Sequence, residues 1–444
     1  MPSEPRQHPR IVNPETYLTG CTCNHEHPVP QVTLYSGKDA SQILAEDCHA
    51  IYADRPVLLL FDPETYAVAG ADLQQRLRAE KVNLTSYQFD SHPVATAALI
   101  ETVRSFLQDV ALVISVGSGT INDLGKYSSS EDQIDFWCLP TAPSMNGYTS
   151  GIAAIKVKGV KRTLPAIPPQ RIYAIPEVIQ QAPLKLRQAG FCDVLAKVVS
   201  DIDWQCESLL FSGSYCGLPA AMMAEVEHSY SENPEAIGRG DTSAVMGLFN
   251  GLLLSGVAMS LAGSSAPASG GEHLVSHFWD MREPITGREP ELHGLQVGIG
   301  IILSTACYRR LAQLDKGALP QKAELLFTVT AAWIPEIWGS YAEEVAKQFQ
   351  NKREALLRFD TLLPEKWDEL QALFQQVQPP EYFADLFART GAPFNLEVFR
   401  LTKDEFILAA LNSRAIRERI TVLDLAAHAG VLEAATEDAL QLLR

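Results

Sequence analysis

Short apolar runs alternate with amphipathic segments in the first part of the chain. Continuous apolar runs lie at Val57–Phe61, Ala111–Val116 and Phe136–Leu139, as expected of parallel strands that are covered on both faces. Between them, residues 67–80 and 95–107 have the apolar spacing of helices. Strands that alternate with helices over short links indicate right-handed crossovers. The pattern therefore predicts an α/β domain with a Rossmann-like parallel sheet.

The pattern changes near Pro176. Downstream, strand-like runs disappear, and stretches rich in Ala, Leu, Glu, Gln and Arg continue to Arg444, which predicts an all-α domain. Helices are expected at 191–204, 243–262, 274–281, 293–314, 323–334 and 341–349. The predicted organisation is an N-terminal extension over 1–30, an α/β domain over 31–176 and an all-α domain over 177–444. The proline-rich residues 165–176 between the two domains are a candidate hinge that lines a cleft.

Composition and charge narrow the class of protein. Of the 444 residues, 46% are hydrophobic and 20% are charged, with a net charge of −17. Nucleic acid or an anionic membrane would be repelled by this charge, so neither is an expected partner. The N-terminus lacks the apolar segment of a secretory signal, and most of the scattered cysteines lie inside apolar runs. We therefore expect a cytoplasmic protein with reduced thiols, in which residues 245–262 form a buried helix rather than a membrane span.

A glycine-containing loop, Val116–Leu124, follows one apolar run and begins a helical segment. Glycines let the backbone approach a pyrophosphate, and a helix N-terminus offers N–H groups to it. A tight strand-to-helix turn would use the same residues, but the position after a buried strand favours phosphate binding.

Two further candidates follow the other apolar runs. Asp62 stands where a carboxylate can bind the ribose hydroxyls of NAD and repel the 2′-phosphate of NADP, although Asp-Pro is also a common turn. The polar residues 140–150 follow the third run, and such loops often carry binding residues.

Three histidines of the helical half, His273, His277 and His293, together with Asp193, suggest a mononuclear metal site. One carboxylate and two imidazoles leave coordination positions open, as catalysis requires, and they suit zinc, iron or nickel. His273 and His277 are four residues apart and so lie on one helix face. Taken alone, each histidine is more often a packed or surface residue, and His277 is an alternative fourth ligand.

The N-terminal extension carries Cys21, Cys23, His25 and His27 at alternate positions. One extended segment would present all four to a zinc ion. The tight spacing close to the chain end favours a loosely ordered tail instead.

Five motifs occur in the order found in a known family. They are Gly117–Asp123, Pro140–Ser150, Ala189–Lys197, Pro267–His277 and Leu292–Gly294. Together they resemble the iron-containing alcohol dehydrogenase and dehydroquinate synthase superfamily, most closely its bacterial sn-glycerol-1-phosphate dehydrogenase branch. The resemblance covers roughly residues 32–314. It implies an NAD-dependent, divalent-metal-dependent oxidoreductase of phospholipid biosynthesis that interconverts dihydroxyacetone phosphate and sn-glycerol 1-phosphate by hydride transfer. It also implies a homodimer and an active site in the cleft between the domains.

The resemblance also implies roles for individual residues. The metal ligands would be Asp193, His273 and His293, and the substrate would contact Asp193, His277 and Asn146. The pyrophosphate would be held by Gly117, Ser118, Gly119, Thr120 and Ile121, and the adenosine ribose by Asp62. The nicotinamide side would be contacted by Thr141, Ala142, Pro143, Ser144 and Ser150.

One position departs from the family pattern. Relatives usually carry Asp where this chain has Asn146. An asparagine donates hydrogen bonds to a hydroxyl, but it carries no charge and accepts no proton. The exact substrate therefore stays open. The alternatives are a glycerol or polyol dehydrogenase, a dehydroquinate-synthase-like cyclase of the same fold, or an inactive NAD- or metal-binding protein.

Overall fold

The computed structural model describes residues 8, 9, 11, 18, 21–23, 26–157, 160–320, 335–391 and 394–444. Two compact units divide the chain. The first comprises Met1–Cys21, His25–Phe191 and Ala221–Ser264, and the second comprises Thr22–Asn24, Cys192–Ala220 and Ser265–Arg444. The units are defined by contacts between residues and not by the type of secondary structure. The domain boundaries 1–30, 31–176 and 177–444 therefore stay a prediction.

A six-stranded parallel sheet forms the centre of the first unit. Its strands are β1 (Thr33–Ser36), β2 (Val57–Phe61), β3 (Leu84–Gln88), β4 (Leu112–Gly117), β5 (Asp135–Pro140) and β8 (Arg171–Ala174), in the order β1-β8-β5-β4-β2-β3. All its strand pairs are parallel, and the predicted sheet is confirmed. Strands β6 (Ile152–Val157) and β7 (Val160–Pro165) form a separate antiparallel hairpin, which the sequence pattern did not indicate.

The helices between Ala40 and Ala262 are α1 (Ala40–Tyr52), α2 (Ala71–Ala79), α3 (Ala97–Arg104), α4 (Gly119–Glu131), α5 (Pro176–Gln180), α6 (Leu184–Leu195), α7 (Lys197–Phe211), α8 (Leu218–Ser231), α9 (Pro234–Arg239) and α10 (Thr242–Ala262). The first four of them cover the two faces of the sheet. A helical turn at Pro63–Thr65 and a π-helical turn at Tyr66–Gly70 lead into α2. Helices α1 and α2 pack with Val57 and Leu59. Helices α3 and α4 pack with Leu58 and Leu60 on the opposite face, because successive side chains of a strand point to opposite sides.

Among its described residues, the second unit has helices joined by turns and loops, and no strand. Its remaining helices are α11 (Gly271–Thr286), α12 (His293–Gln313), α13 (Pro335–Trp338), α14 (Ala342–Leu357), α15 (Phe359–Phe374), α16 (Pro380–Arg389), α17 (Lys403–Asn412), α18 (Val422–His428) and α19 (Leu432–Leu442). Single 3₁₀ turns lie at Ala266–Ala268, Lys316–Ala318, Gly339–Tyr341 and Ser413–Ala415. The predicted all-α character is confirmed. The helix expected at 191–204 is divided between α6 and α7, and the one expected at 323–334 lies outside the described residues.

One described helix, α10, is long and apolar enough to cross a membrane. Its most apolar window is 78% buried inside the protein, and residues such as Val245, Phe249 and Leu253 pack into the same core as the sheet. This burial is typical of a core helix, as the weak hydrophobicity of residues 245–262 predicts.

Helices α11 and α12 lie close together in the second unit. A Cβ atom built at Gly300 of α12 would lie 2.2 Å from the carbonyl oxygen of Glu272 in α11. Only a glycine permits this approach. The start of α11 is fixed as well, because Asp203 of α7 accepts a hydrogen bond from the N–H of Gly271 at 2.7 Å. These contacts set the positions from which His273 and His293 project.

Candidate active site

The carboxyl ends of β2, β4 and β5 meet at one edge of the sheet. Asp62 follows β2, the Gly117–Ile121 loop joins β4 to α4, and Thr141 follows β5. The helix after β2 covers one face of the sheet and the helix after β4 covers the other. The edge between β2 and β4 is therefore a topological switch point, where doubly wound sheets bind ligands. The fold thus brings together the three segments for which nucleotide contacts are predicted.

The glycine loop has the local geometry of an anion-binding helix start. A Cβ atom at Gly117 would lie 2.7 Å from Cδ1 of Ile121, so the tight turn requires a residue without a side chain. Ser118 is the N-cap of α4, and within the described structure its side chain makes no capping hydrogen bond. The first N–H groups of α4 therefore suit an external acceptor such as a phosphate.

Asp62 is used in the structure as a helix cap. Its Oδ1 atom accepts a hydrogen bond from the N–H of Thr65 at 2.8 Å, and Oγ1 of Thr65 accepts one from the N–H of Asp62 at 3.0 Å. This capping box fixes the turn after β2. The Asp-Pro turn anticipated as an alternative is therefore present. One carboxylate oxygen takes part in it, and the ribose contact stays a prediction.

A buried lysine holds the loop that follows β5, a role that sequence reasoning missed. Nζ of Lys126 donates to the carbonyl oxygen of Gly147 at 2.6 Å and lies 3.3 Å from Oδ1 of Asp123. Oδ2 of Asp123 in turn accepts from the N–H of Ala154 at 3.0 Å. Burial raises the pKa of Asp123 and lowers that of Lys126, while the charge of each opposes the shift of the other. The pair therefore ties α4 to the second half of this loop and to β6.

Residues of the same loop differ in their exposure. Ser150 is fully buried, and its Oγ donates to the carbonyl oxygens of Gly147 and Ile152, both at 3.1 Å. Asn146 is half-buried, and its Nδ2 donates to Oγ of Ser255 in α10 at 3.4 Å. The hydroxyl of Ser150 thus stabilises the loop. The predicted contacts of Thr141, Ala142, Pro143, Ser144 and Ser150 with a nicotinamide, and of Asn146 with substrate, stay predictions.

The carboxylate and two imidazoles expected to bind a metal converge in the second unit. Asp193 lies near the end of α6, His273 in the first turn of α11, and His293 is the first residue of α12. Their ligand atoms lie within 4.8 Å of one another. Nε2 of His273 is 3.6 Å from Oδ1 of Asp193, and the rings of His273 and His293 are 5.0 Å apart. Oxygen and nitrogen donors in this arrangement fit a divalent transition metal.

His277 lies beside this group on the same face of α11. Its ring stacks on that of His293 with centroids 5.7 Å apart, and His277, Asp280 and His293 also offer ligand atoms within 4.8 Å of one another. His293 therefore belongs to two overlapping groups. This position suits a residue that contacts substrate and equally a fourth ligand, so both alternatives stand.

Two acidic neighbours surround His273. Burial disfavours its protonated form, but hydrogen bonds and charges from Asp193 and Glu272 outweigh burial and raise its pKa to about 9. A metal at Nε2 would replace this proton and place its own positive charge between the same carboxylates. The acidic surroundings therefore suit a cation.

Part of the N-terminal cysteine and histidine group is described. His25 lies outside the described residues. Sγ of Cys21 is 3.2 Å from Nε2 of His27, whose Nδ1 donates to the carbonyl oxygen of Leu261 at 2.8 Å. His27 is thereby attached to the end of α10. Metal binding by Cys21, Cys23 and His27 stays a prediction.

Comparisons with known proteins identify the family of this chain. The family model for iron-containing alcohol dehydrogenases matches residues 36–183. A glycerol-1-phosphate dehydrogenase [NAD(P)+] from Bacillus licheniformis is 35% identical over 307 residues, which are 68% of this chain and 76% of that protein. The protein of the same name from Geobacillus thermodenitrificans is 33% identical over 58% of this chain and 65% of its own length. The chain therefore belongs to the iron-containing alcohol dehydrogenase family, within its group of glycerol-1-phosphate dehydrogenases.

Solved structures show the same fold at lower sequence identity. Glycerol dehydrogenase from Schizosaccharomyces pombe is 16% identical and superposes with a TM-score of 0.60, covering 95% of this chain and 93% of that one. This similarity supports the architecture alone.

Proposed function

We propose that the protein is an NAD-dependent, metal-dependent oxidoreductase that interconverts dihydroxyacetone phosphate and sn-glycerol 1-phosphate. The observation that carries the proposal is the convergence of Asp193, His273 and His293 in a chain related to glycerol-1-phosphate dehydrogenases. The glycine loop at the topological switch point between β2 and β4 supports the proposed binding of NAD. We further propose that it acts in the cytoplasm as a homodimer.

The ligand set defines what the metal contributes. Asp193, His273 and His293 would hold one zinc, iron or nickel ion, which polarises a carbonyl oxygen and stabilises negative charge on it. The Gly117–Ile121 loop would hold the pyrophosphate of NAD, and Asp62 the adenosine ribose. The carboxylate of Asp62 disfavours a 2′-phosphate by charge, so NAD is the expected cofactor.

His277 is the group best suited to move the proton that accompanies hydride transfer. It is only partly buried and shares one face of α11 with His273, so it would contact the substrate oxygen and exchange a proton with solvent. Asn146 would donate a hydrogen bond to a substrate hydroxyl. Because it has no charge, it would orient the substrate rather than act as a base.

The test is NADH oxidation by the full-length enzyme with dihydroxyacetone phosphate, with and without chelator and added divalent metals. We expect activity that the chelator removes and metal restores. Replacing His273 with Ala should abolish metal binding and activity while NADH binding is kept, whereas the exposed His228→Ala change should alter neither. Parallel assays with dihydroxyacetone, glycerol and a seven-carbon sugar phosphate separate the polyol dehydrogenase and cyclase alternatives. A fully active, metal-free His273→Ala variant would contradict the site assignment.

A further inference from the structure

The two histidines of the metal site are held by different partners. Nδ1 of His273 lies 2.7 Å from Oε1 of Glu272, and Nδ1 of His293 lies 2.9 Å from Oγ of Ser276. An ionised carboxylate only accepts hydrogen bonds, so Nδ1 of His273 is the donor. Oγ of Ser276 donates its proton to Oε1 of Gln296 at 2.7 Å and therefore accepts from His293. In both rings Nδ1 is engaged as a donor, which leaves Nε2 as the nitrogen that would bind a metal.

Glu272 differs from Ser276 in its charge and in its setting. Its side chain is fully buried. Oε1 also accepts from the N–H of Gly270 at 2.8 Å, while Oε2 has no hydrogen-bond partner among the described residues. A buried carboxylate with one such oxygen is costly unless a positive charge lies nearby. The guanidinium of Arg419 supplies part of this charge, and a cation bound at Nε2 of His273, which the carboxylate contacts, would add to it.

A second buried carboxylate of this region makes a different set of contacts. Asp203 accepts from the N–H groups of Gly271 and Val422 at 2.7 and 2.6 Å and from the hydroxyl of Tyr308 at 2.5 Å. These donors stand at the starts of α11 and α18 and in the middle of α12. Asp203 thus joins helix ends, and its contact with the ligand-bearing turn is to the backbone of Gly271. It provides a matched control, since it is as deeply buried as Glu272 but does not hydrogen-bond to a ligand.

We propose that Glu272 is a positioning residue for the metal. Its negative charge holds His273 with Nε2 directed at the ion and strengthens binding, whereas Ser276 and Gln296 orient His293 without charge. The inference rests on the metal site of the proposed function. Carboxylates that contact ligand histidines in this way typically change metal affinity by about 10- to 100-fold. Neutral hydrogen bonds contribute less, about fivefold for 1 kcal/mol.

The test is a zinc titration of the full-length, metal-free protein in competition with a chromophoric chelator. Zinc binding that is lost in the His273→Ala variant is assigned to the proposed site. Glu272→Gln keeps a hydrogen-bond acceptor but removes the charge, and we expect its zinc dissociation constant to rise by about 10- to 100-fold. Ser276→Ala should show a smaller rise. Asp203→Asn should lower the melting temperature of the metal-free protein and leave zinc affinity within about threefold, because it acts on helix ends.

Two measurements separate positioning from mere folding. The melting temperatures of the metal-free variants report any general structural damage separately from the zinc affinity. The inference would be overturned if Glu272→Gln bound zinc within threefold of the wild-type affinity. It would also be overturned if Glu272→Gln and Asp203→Asn both lost zinc affinity in proportion to their drop in melting temperature. The titration needs no substrate. A wild type that binds zinc at His273 but does not reduce dihydroxyacetone phosphate would therefore refute the proposed function alone.

Discussion

The buried pair of Lys126 and Asp123 provides a strong test of how the loop after β5 is held. Replacing Lys126 with Met keeps most of the side-chain volume but removes the charge and the N–H donors. Among the described residues, Asp123 then keeps the hydrogen bond from Ala154 alone, and the carbonyl oxygen of Gly147 loses a donor at 2.6 Å. Both partners are almost completely buried, with side-chain exposures of 0% and 8%. Water therefore cannot replace the lost partner.

The magnitude follows from this burial. Removing one member of a buried ion pair costs about 3–5 kcal/mol, because the other charge is left uncompensated. Adding Asp123→Asn to Lys126→Met removes that charge but keeps an acceptor for the N–H of Ala154. We expect this second change to recover about half of the loss, since replacing both charges of a buried pair is often close to neutral. The exposed Lys38→Met change should shift stability by no more than about 0.5 kcal/mol.

The assay is urea unfolding followed by tryptophan fluorescence, with the free energy of unfolding extrapolated to water, together with a titration of NADH. If the 140–150 loop contributes to the nicotinamide site, Lys126→Met should also weaken NADH binding under conditions in which the variant is folded. A loss of stability below about 1 kcal/mol, or a double variant less stable than the single one, would refute the reasoning that this pair anchors the loop.

Three smaller predictions concern other parts of the chain. Asp62→Ser keeps an N-cap acceptor but should lower the preference for NADH over NADPH, measured as a ratio of kcat/KM; an unchanged ratio would count against the ribose contact. Arg310 and Arg309 lower the pKa of Asp438, so the stabilisation is present at pH 7 and is lost as the pH falls through the folded-state pKa. Asp438→Asn should therefore cost about 0.5–1 kcal/mol at pH 7 and nothing at pH 2, as checked by urea unfolding. Cys21→Ser should lower the zinc content of the purified protein if Cys21 and His27 bind an ion, and equal content would leave only a thiol–imidazole contact.

The sequence predicted the fold where burial imposes a periodic pattern. Strands β2, β4 and β5 are central and covered on both faces, so Val57–Phe61 and its counterparts appear as unbroken apolar runs. Strand β3 lies at the edge of the sheet, and its residues Leu84–Gln88 are mostly half-buried or exposed. No uniform apolar run marks such a strand. The hairpin of β6 and β7 lies outside the six-stranded sheet, and it likewise leaves no continuous apolar signal.

The candidate ligands could be predicted because Asp193, His273 and His293 lie in motifs that follow one another in the order found in the family. Their supporting residues could not. Glu272 stands next to His273 in the chain, but an acidic residue in a first helical turn is also explained by the helix dipole. Ser276 and Gln296 are 20 residues apart and meet only because α11 and α12 pack side by side. The role of Lys126 could not be predicted either. In the sequence it is indistinguishable from a surface lysine, and its burial depends on the contact with Gly147 that forms only in the folded protein.

Charge distribution links these missed residues to the function. The two histidine ligands are fixed by different hydrogen-bond partners, one charged and one neutral, although both present Nε2. If each histidine ring were held by a carboxylate, the site would contain three negative groups, because Asp193 is the third. Three negative charges would exceed the two positive charges of a divalent ion. With a carboxylate at Nδ1 of one ring and a hydroxyl at Nδ1 of the other, Asp193 and Glu272 together would match the two charges of a divalent ion, and such an ion would stay able to polarise a carbonyl oxygen. It follows that Ser276→Asp, which adds a charge beside His293, should tighten zinc binding but lower kcat for dihydroxyacetone phosphate. Tighter binding with an unchanged or higher kcat would contradict this balance of charges.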